Sequence, residues 1–491
     1  MDKQDCLKGL EDIEATFSQL IDTRLAGFSD EDRLIATQII NDTVDLIKDL
    51  DRDMYMFYVS YENYNNGVSF MPQYYFENIL LHDDMVWERI IIIIAIAYQI
   101  DIQLIFEKKG IGPLYGIVKK DNRIDAGIKR LLTEINADSN MKALKITRNG
   151  NEHYISIHLA KNDKIKTKFE DTIHIENGKL HGDIEKINKQ TDYINREEMK
   201  LLKEKIVIVS KKQKKYIELL KLCIIQMEVS FKNSTFTFNQ KKYFLPNYDK
   251  ELYIDKEIFN RCEELEGNYS ALREDFRIVI DMINESVFAA LNKGSMIRNT
   301  LLIDSLFRAK EIIRSINLYL GCTCFYIHGE KQFAPTQKET FEKYCCNDVI
   351  FSYYYYDHAI LKLYSVYEKL AKFLLCKYDF NQVYLDDDKF KGMYIDRVIE
   401  LFSKRGVTSE ILIEFYNCVS SIKYKEYEKI RNRDYHCLRM FYVLDEKSRD
   451  LVILDNICNI ANMMSSLYKV YSIIIKEEKN IYTKMISDMN E

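Results

Sequence analysis

The chain has 491 residues, 47% of them hydrophobic and 30% charged, with only 4 Pro and 16 Gly. That excludes a small cross-linked scaffold and a disordered chain, and predicts an ordered protein of more than one domain built from long helices. A net charge of −6 excludes a protein that coats nucleic acid through a generally basic surface, so any RNA contact must be local.

In chain order, hydrophobic periodicity and the scarcity of breakers predict helices over roughly 31–60, 73–106, 123–136, 196–232, 255–293, 297–320, 347–378, 392–404, 408–421 and 452–485. The apolar run from Ile90 to Ile100 is shorter than the ~18 residues a membrane span needs, and reads as a central helix buried on all sides. Alternation around Asn177-Gly178 predicts a β-hairpin at 166–182, and 229–245 is a second candidate. Seven Lys between Lys200 and Lys215 read first as a solvated helix face and second as a local RNA contact. The quartet Tyr353 to Tyr356 covers every side of a helix and is expected to pack rather than to stack on bases.

The 11 Cys include no CxxC pair, and the N-terminal sequence has no apolar signal core. Free thiols in a cytoplasmic protein without membrane association are therefore expected. Cys322, Cys324, His328, Cys345 and Cys346 match no common zinc spacing, and the phosphate-loop, zinc-protease and dinucleotide motifs are absent. Neither a metal nor a cofactor is expected.

Two distant segments share a motif and its surroundings. Arg148-Asn149-Gly150-Asn151-Glu152-His153 and Arg431-Asn432-Arg433-Asp434-Tyr435-His436 are both R-N-x-x-x-H. Upstream, Val86-Trp87-Glu88-Arg89 and Val366-Tyr367-Glu368-Lys369 sit on similar apolar helices, Glu88 preceding Arg148 by 60 positions and Glu368 preceding Arg431 by 63. Such self-similarity indicates two diverged copies of one unit.

Arg is permanently cationic and planar, suited to holding a phosphate and to neutralising charge as phosphorus becomes five-coordinate. Histidine moves protons near neutrality, and Asn orients either group. Within each motif Asn and His, four apart, share a helix face, whereas Arg and His, five apart, diverge by about 140°. Separate acid and base groups favour two motifs acting together. Gly150 makes the first motif locally more flexible than the second.

These residues resemble the HEPN superfamily, helical domains with an R-x4-6-H motif often followed by a polar residue after the Arg. The resemblance implies an all-α fold: a tandem pair of HEPN-like bundles packed as an internal pseudo-dimer, with one or two small hairpin insertions. It implies a first domain over 1–235, a connecting segment over 236–268 and a second domain over 269–491. It further implies a metal-independent endoribonuclease acting on an RNA substrate, toxin-like or antiviral, with a regulatory partner or activator as a candidate second contact. Arg148, Asn149, His153, Arg431, Asn432 and His436 are its expected catalytic residues, with Glu88 and Glu368 in support. Ile155 and Leu438 stand where toxins controlled by a partner nucleotidyltransferase carry Tyr, so that subgroup is not matched. The competing expectation is a non-catalytic module that binds RNA or protein.

Overall fold

Long stretches without Pro or Gly become long helices. The computed structural model describes residues 30–62, 71–100, 111–139, 144, 147, 173–176, 179–182, 184–231, 255–286, 293–328, 350–378, 394–406, 408–436, 439 and 446–490. Among them are twelve helices: α1 (Asp30–Glu62), α2 (Met71–Ala97), α3 (Gly112–Lys120), α4 (Ala126–Ala137), α5 (Ile184–Phe231), α6 (Asp255–Ser286), α7 (Lys293–His328), α8 (Ile350–Lys377), α9 (Ile395–Arg405), α10 (Glu410–Ser420), α11 (Ile422–His436) and α12 (Glu446–Asn490). The fold class is all-α. Strands β1 (Ile173–Glu176) and β2 (Lys179–Gly182) pair antiparallel, with Ile173 opposite Gly182 and Glu176 opposite Lys179.

The helices divide between two units, the first holding α1 to α5 together with Tyr435, His436 and Arg439, the second holding α6 to α12 apart from those residues. In the first, α2 packs against α1, α3 and α5, and α4 packs on α5. Leu50, Met54 and Phe57 of α1 meet Phe76, Ile79 and Leu80 of α2 and Met199, Leu202, Ile206 and Val209 of α5. Burial of aliphatic and aromatic area of this kind is what holds such helices together. Ile90 to Ala97 are all buried, the central helix expected from their sequence. Among the described residues no helix is long and apolar enough to cross a membrane.

α2 ends at Ala97 rather than running on to 106. The Ile100 N–H donates to the Ala95 carbonyl at 2.8 Å and the Gln99 N–H to that of Ile96 at 3.0 Å, with Gln99 at φ 54°. This is a Schellman closure, in which a left-handed residue lets the next amides cap the last carbonyls. α3 was not expected; Pro113 in its first turn is compatible with a helix start, where an N–H has no intrahelical partner. Asp125 starts α4 by accepting from the Gly127 N–H at 2.7 Å and the Ile128 N–H at 3.3 Å.

In the second unit α8 packs on α7 and α9, α6 on α7 and α12, and α10 on α12. Tyr353, Tyr354 and Tyr356 are buried. The Tyr356 hydroxyl accepts from Asn456 Nδ2 at 3.0 Å, and the Tyr354 ring lies 4.1 Å from that of His358. The quartet thus packs rather than presenting faces to bases.

One expectation needs correction. The candidate hairpin at 229–245 fails in its described part, because 229–231 finish α5; helical continuation overrides the β preference of Val229 and Phe231. The remainder, 232–245, lies outside the described residues. The helix expected over 255–293 runs from Asp255 to Ser286 as α6, with Cys262 and Leu265 in the core.

Candidate functional site

The second motif forms the last turns of α11. Ser421 starts the helix, its hydroxyl accepting from the Tyr424 N–H at 3.2 Å while its carbonyl accepts from the Lys425 N–H at 3.2 Å. Tyr424, Tyr427 and Asp434 turn inward, and the Tyr427 hydroxyl donates to the Ile360 carbonyl of α8 at 2.6 Å. Tyrosine rather than aliphatic residues carries the helical period here, so aliphatic periodicity alone does not reveal α11.

Arg431 and Asn432 lie next to one another in this helix, and Arg431 Nη1 donates to Asn432 Oδ1 at 3.0 Å. The Arg431 guanidinium carbon lies 4.7 Å from the centroid of the Tyr364 ring on α8. Burial, first, and then Glu368 push the Tyr364 hydroxyl above its ordinary range, while Arg431 opposes them.

His436, at the end of α11, packs within the first unit. Its Nδ1 is 2.9 Å from Glu88 Oε2 of α2, with the imidazole side chain 24% exposed and the carboxylate only 7%. A carboxylate only accepts, so the proton of this bond sits on Nδ1 and Nε2 is left to take up a proton. The partial exposure keeps the ring within reach of a ligand while Glu88 itself is shielded.

A buried ionic seam holds that last turn. Arg89, adjacent to Glu88, donates from Nη1 to the Tyr435 carbonyl at 2.8 Å and from Nε to Asp42 Oδ2 at 2.8 Å. The Tyr435 carbonyl belongs to the helix end, where no intrahelical donor is available, so Arg89 supplies the missing partner. The Tyr435 hydroxyl donates to Asp84 Oδ2 at 2.7 Å. Arg439 bonds Asp42 through Nε and Asp49 through Nη1, the latter at 2.7 Å. Burial by itself raises the Asp49 carboxyl, but Arg439, Arg52 and His82 outweigh it and hold it below the ordinary value. Burial wins at Asp45, whose carboxyl is raised despite Lys48 and Arg439.

Arg89, Asp42, Asp84 and Arg439 were not among the expected site residues. A signal existed: Asp42, Asp45, Asp49 and Asp53 recur on one face of α1, and Arg89 interrupts an apolar stretch of α2. All four aspartates and Arg89 are buried.

The expected residues are thus placed unequally. Glu88 and His436 meet in the first unit, and Arg431 and Asn432 meet on α11. Arg148, Asn149 and His153 lie outside the described residues. Glu368 is fully buried in the second unit, 3.6 Å from Lys372 Nζ, and burial outweighs Glu368 to lower the Lys372 ammonium's affinity for its proton.

Much of the lysine cluster on α5 has structural partners. Lys212 is buried 2.6 Å from Asp83, Lys215 lies 3.2 Å from Glu134, Lys205 donates to Thr147, and Lys203 sits over the Tyr58 and Tyr61 rings. Burial raises the Asp83 carboxyl even so, with Lys212 opposing. Cys223, Cys262, Cys376 and Cys418 are buried and form no disulfide, and burial, aided by Glu414, pushes the Cys418 thiol up to about 12. They have the character of packing residues rather than nucleophiles.

Comparison with family models, with curated proteins and with solved structures gives no match for this chain.

Proposed function

We propose that this chain is a HEPN-type endoribonuclease that cuts RNA without a metal, acting as a toxin or antiviral effector, with its two motif copies contributing to one composite site in an internal pseudo-dimer. The observation that carries the reading is His436, oriented through Nδ1 by the shielded Glu88 carboxylate and half-open at the end of a helix that also bears Arg431 and Asn432. A base held by an orienting carboxylate on the same element as a permanent cation is the minimum apparatus for phosphoryl transfer by acid and base.

In the proposed reaction the ribose 2′-oxygen attacks the adjacent phosphorus as its proton passes to one histidine. The bond from phosphorus to the 5′-oxygen breaks, and the departing oxygen takes a proton from the other histidine. Products are a 2′,3′-cyclic phosphate and a 5′-hydroxyl. His436 and His153 fill the two proton-transfer roles, and Arg431 and Arg148 balance charge on the phosphoryl oxygens. Repetition of the motif behind Glu88-Arg89 and Glu368-Lys369 supports a two-copy site.

The test is cleavage of cellular RNA in EDTA by wild type, His153→Ala, His436→Ala and the double variant, with end-group analysis. Loss in each single variant and cyclic phosphate ends support the reading. Equal cleavage by all four proteins overturns it, and retention of RNA without cleavage points to a non-catalytic binding module.

A further inference from the structure

Resting on that ribonuclease reading, we infer that Tyr364 is a positioning residue, holding Arg431 in place for a substrate phosphate. Arg431 is the final member of a stripe on α11, following Tyr424 and Tyr427 at helical spacing, and this stripe meets a matching one on α8 made of Ile360, Tyr364 and Tyr367. The facing residues interlock. The Tyr424 ring lies 4.9 Å from that of Tyr367 in an edge-on contact, the Tyr427 hydroxyl donates to the Ile360 carbonyl, and the Arg431 guanidinium carbon is 4.7 Å from the Tyr364 centroid.

An aromatic face attracts a cation without consuming any of its N–H donors, and the distance is well inside the ~6 Å over which the attraction operates. Asn432 Oδ1 accepts one bond from Nη1, so ring and amide together fix the guanidinium from two directions. Five N–H donors in a rigid fork recognise phosphate only when the fork's plane is defined, and fixing that plane before substrate arrives lowers the ordering cost of binding the transition state. Tyr364 contributes through its ring, so its hydroxyl is dispensable.

The experiment compares wild type, Tyr364→Phe and Tyr364→Leu for cleavage of a short RNA, and separately for ring-current shifts on the Arg431 side chain by NMR. Phe is expected to keep kcat within about 2-fold of wild type, and Leu to lower it about 10-fold with a smaller change in KM. Adding Tyr364→Leu to Arg431→Ala is expected to cost nothing further, because the effect runs through Arg431. The upfield shift should persist in Phe and vanish in Leu. If Leu does not fold, Tyr364→Met refills the volume and takes its place.

A Phe variant as impaired as Leu overturns the inference, as does full loss of the shift with unchanged kcat, or an additive double variant. Should wild type cut no RNA, the ribonuclease reading fails first. The NMR comparison then decides by itself whether the ring holds the guanidinium.

Discussion

One helix pair in each unit solves the same problem differently. In the first unit α2 carries Glu88-Arg89 and α1 supplies Asp42; in the second α8 carries Glu368-Lys369 and α7 supplies Asp304. Arg89 meets Asp42 at 2.8 Å and Lys369 meets Asp304 at 2.8 Å, all four side chains fully buried. Arg has several N–H groups in one plane, so Arg89 bonds the Tyr435 carbonyl as well as Asp42. Lys offers a point charge without that fork. A buried acid-to-cation pair thus secures two helices in each unit, and the arginine version adds a seat for the end of the motif helix.

The largest effect should come from removing the shared acid. Asp42 serves Arg89 and Arg439, so Asp42→Asn removes a buried counter-charge from two guanidinium groups at once, Arg439 keeping Asp49, and is expected to cost about 3–5 kcal/mol. Asp304→Asn should cost less, since beyond Lys369 its further cation, Arg308, stands 3.6 Å away. Urea denaturation of both variants checks the order, and equal losses would break the comparison.

Next comes Glu88→Gln. The amide oxygen still accepts from His436 Nδ1 but the negative charge is gone, so kcat for RNA cleavage should fall about 10- to 100-fold with stability changed by about 1 kcal/mol or less. Cleavage at several pH values with matched circular dichroism measures both, and unchanged kcat would sever Glu88 from the reaction.

A further variant probes the acid load of the first unit, since α1 buries Asp42, Asp45, Asp49, Asp51 and Asp53. Burial pushes the Asp51 carboxyl up to about 6, a hydrogen bond from Gln213 opposing it. Folded protein then binds more protons than unfolded between the ordinary carboxyl value of 3.8 and about 6, so stability falls as pH rises through that window and stays reduced above it. Asp51→Asn, neutral throughout, is expected to add about 1–2 kcal/mol at pH ~7.5 and almost nothing at pH ~4, read from urea midpoints at the two pH values.

The smallest effect concerns helix ends. Gln99 closes α2 at φ 54°, and Gly406 closes α9 at φ 59°. Gly adopts this conformation without a Cβ penalty, so Gln99→Gly should stabilise by about 0.5–1 kcal/mol, whereas Gly406→Ala should destabilise, by thermal melts.

The helical class, the buried α2 and the repeated motif were all legible in the sequence, because breakers, aliphatic runs and identical spacings are local signals. α11 was not, since its period is written in Tyr424 and Tyr427 amid Lys and Glu. The pairing of Glu88 with His436 was not legible either. Both residues had been singled out, but Glu88 was associated with the motif that follows it in the chain, Arg148 to His153. Asp42 and Asp49 were not singled out, because hydrophobic periodicity leaves carboxylates to water. Their burial follows from cations distant in sequence, Arg89 and Arg439, which periodicity does not register.

The bond from Arg439 to Asp42 joins residues 397 positions apart, and that from Arg89 to the Tyr435 carbonyl joins residues 346 apart. A ribosome making this chain from its N-terminus completes α1 to α5 long before either partner emerges. Asp42 and Asp49 must wait without Arg439, and Glu88 without His436, until α11 and the residues just after it have been made. Contacts this distant form late and slowly. Until α11 has been made the nascent protein is therefore without its seated histidine, so the ribonuclease proposed above would be inactive over that stretch of translation.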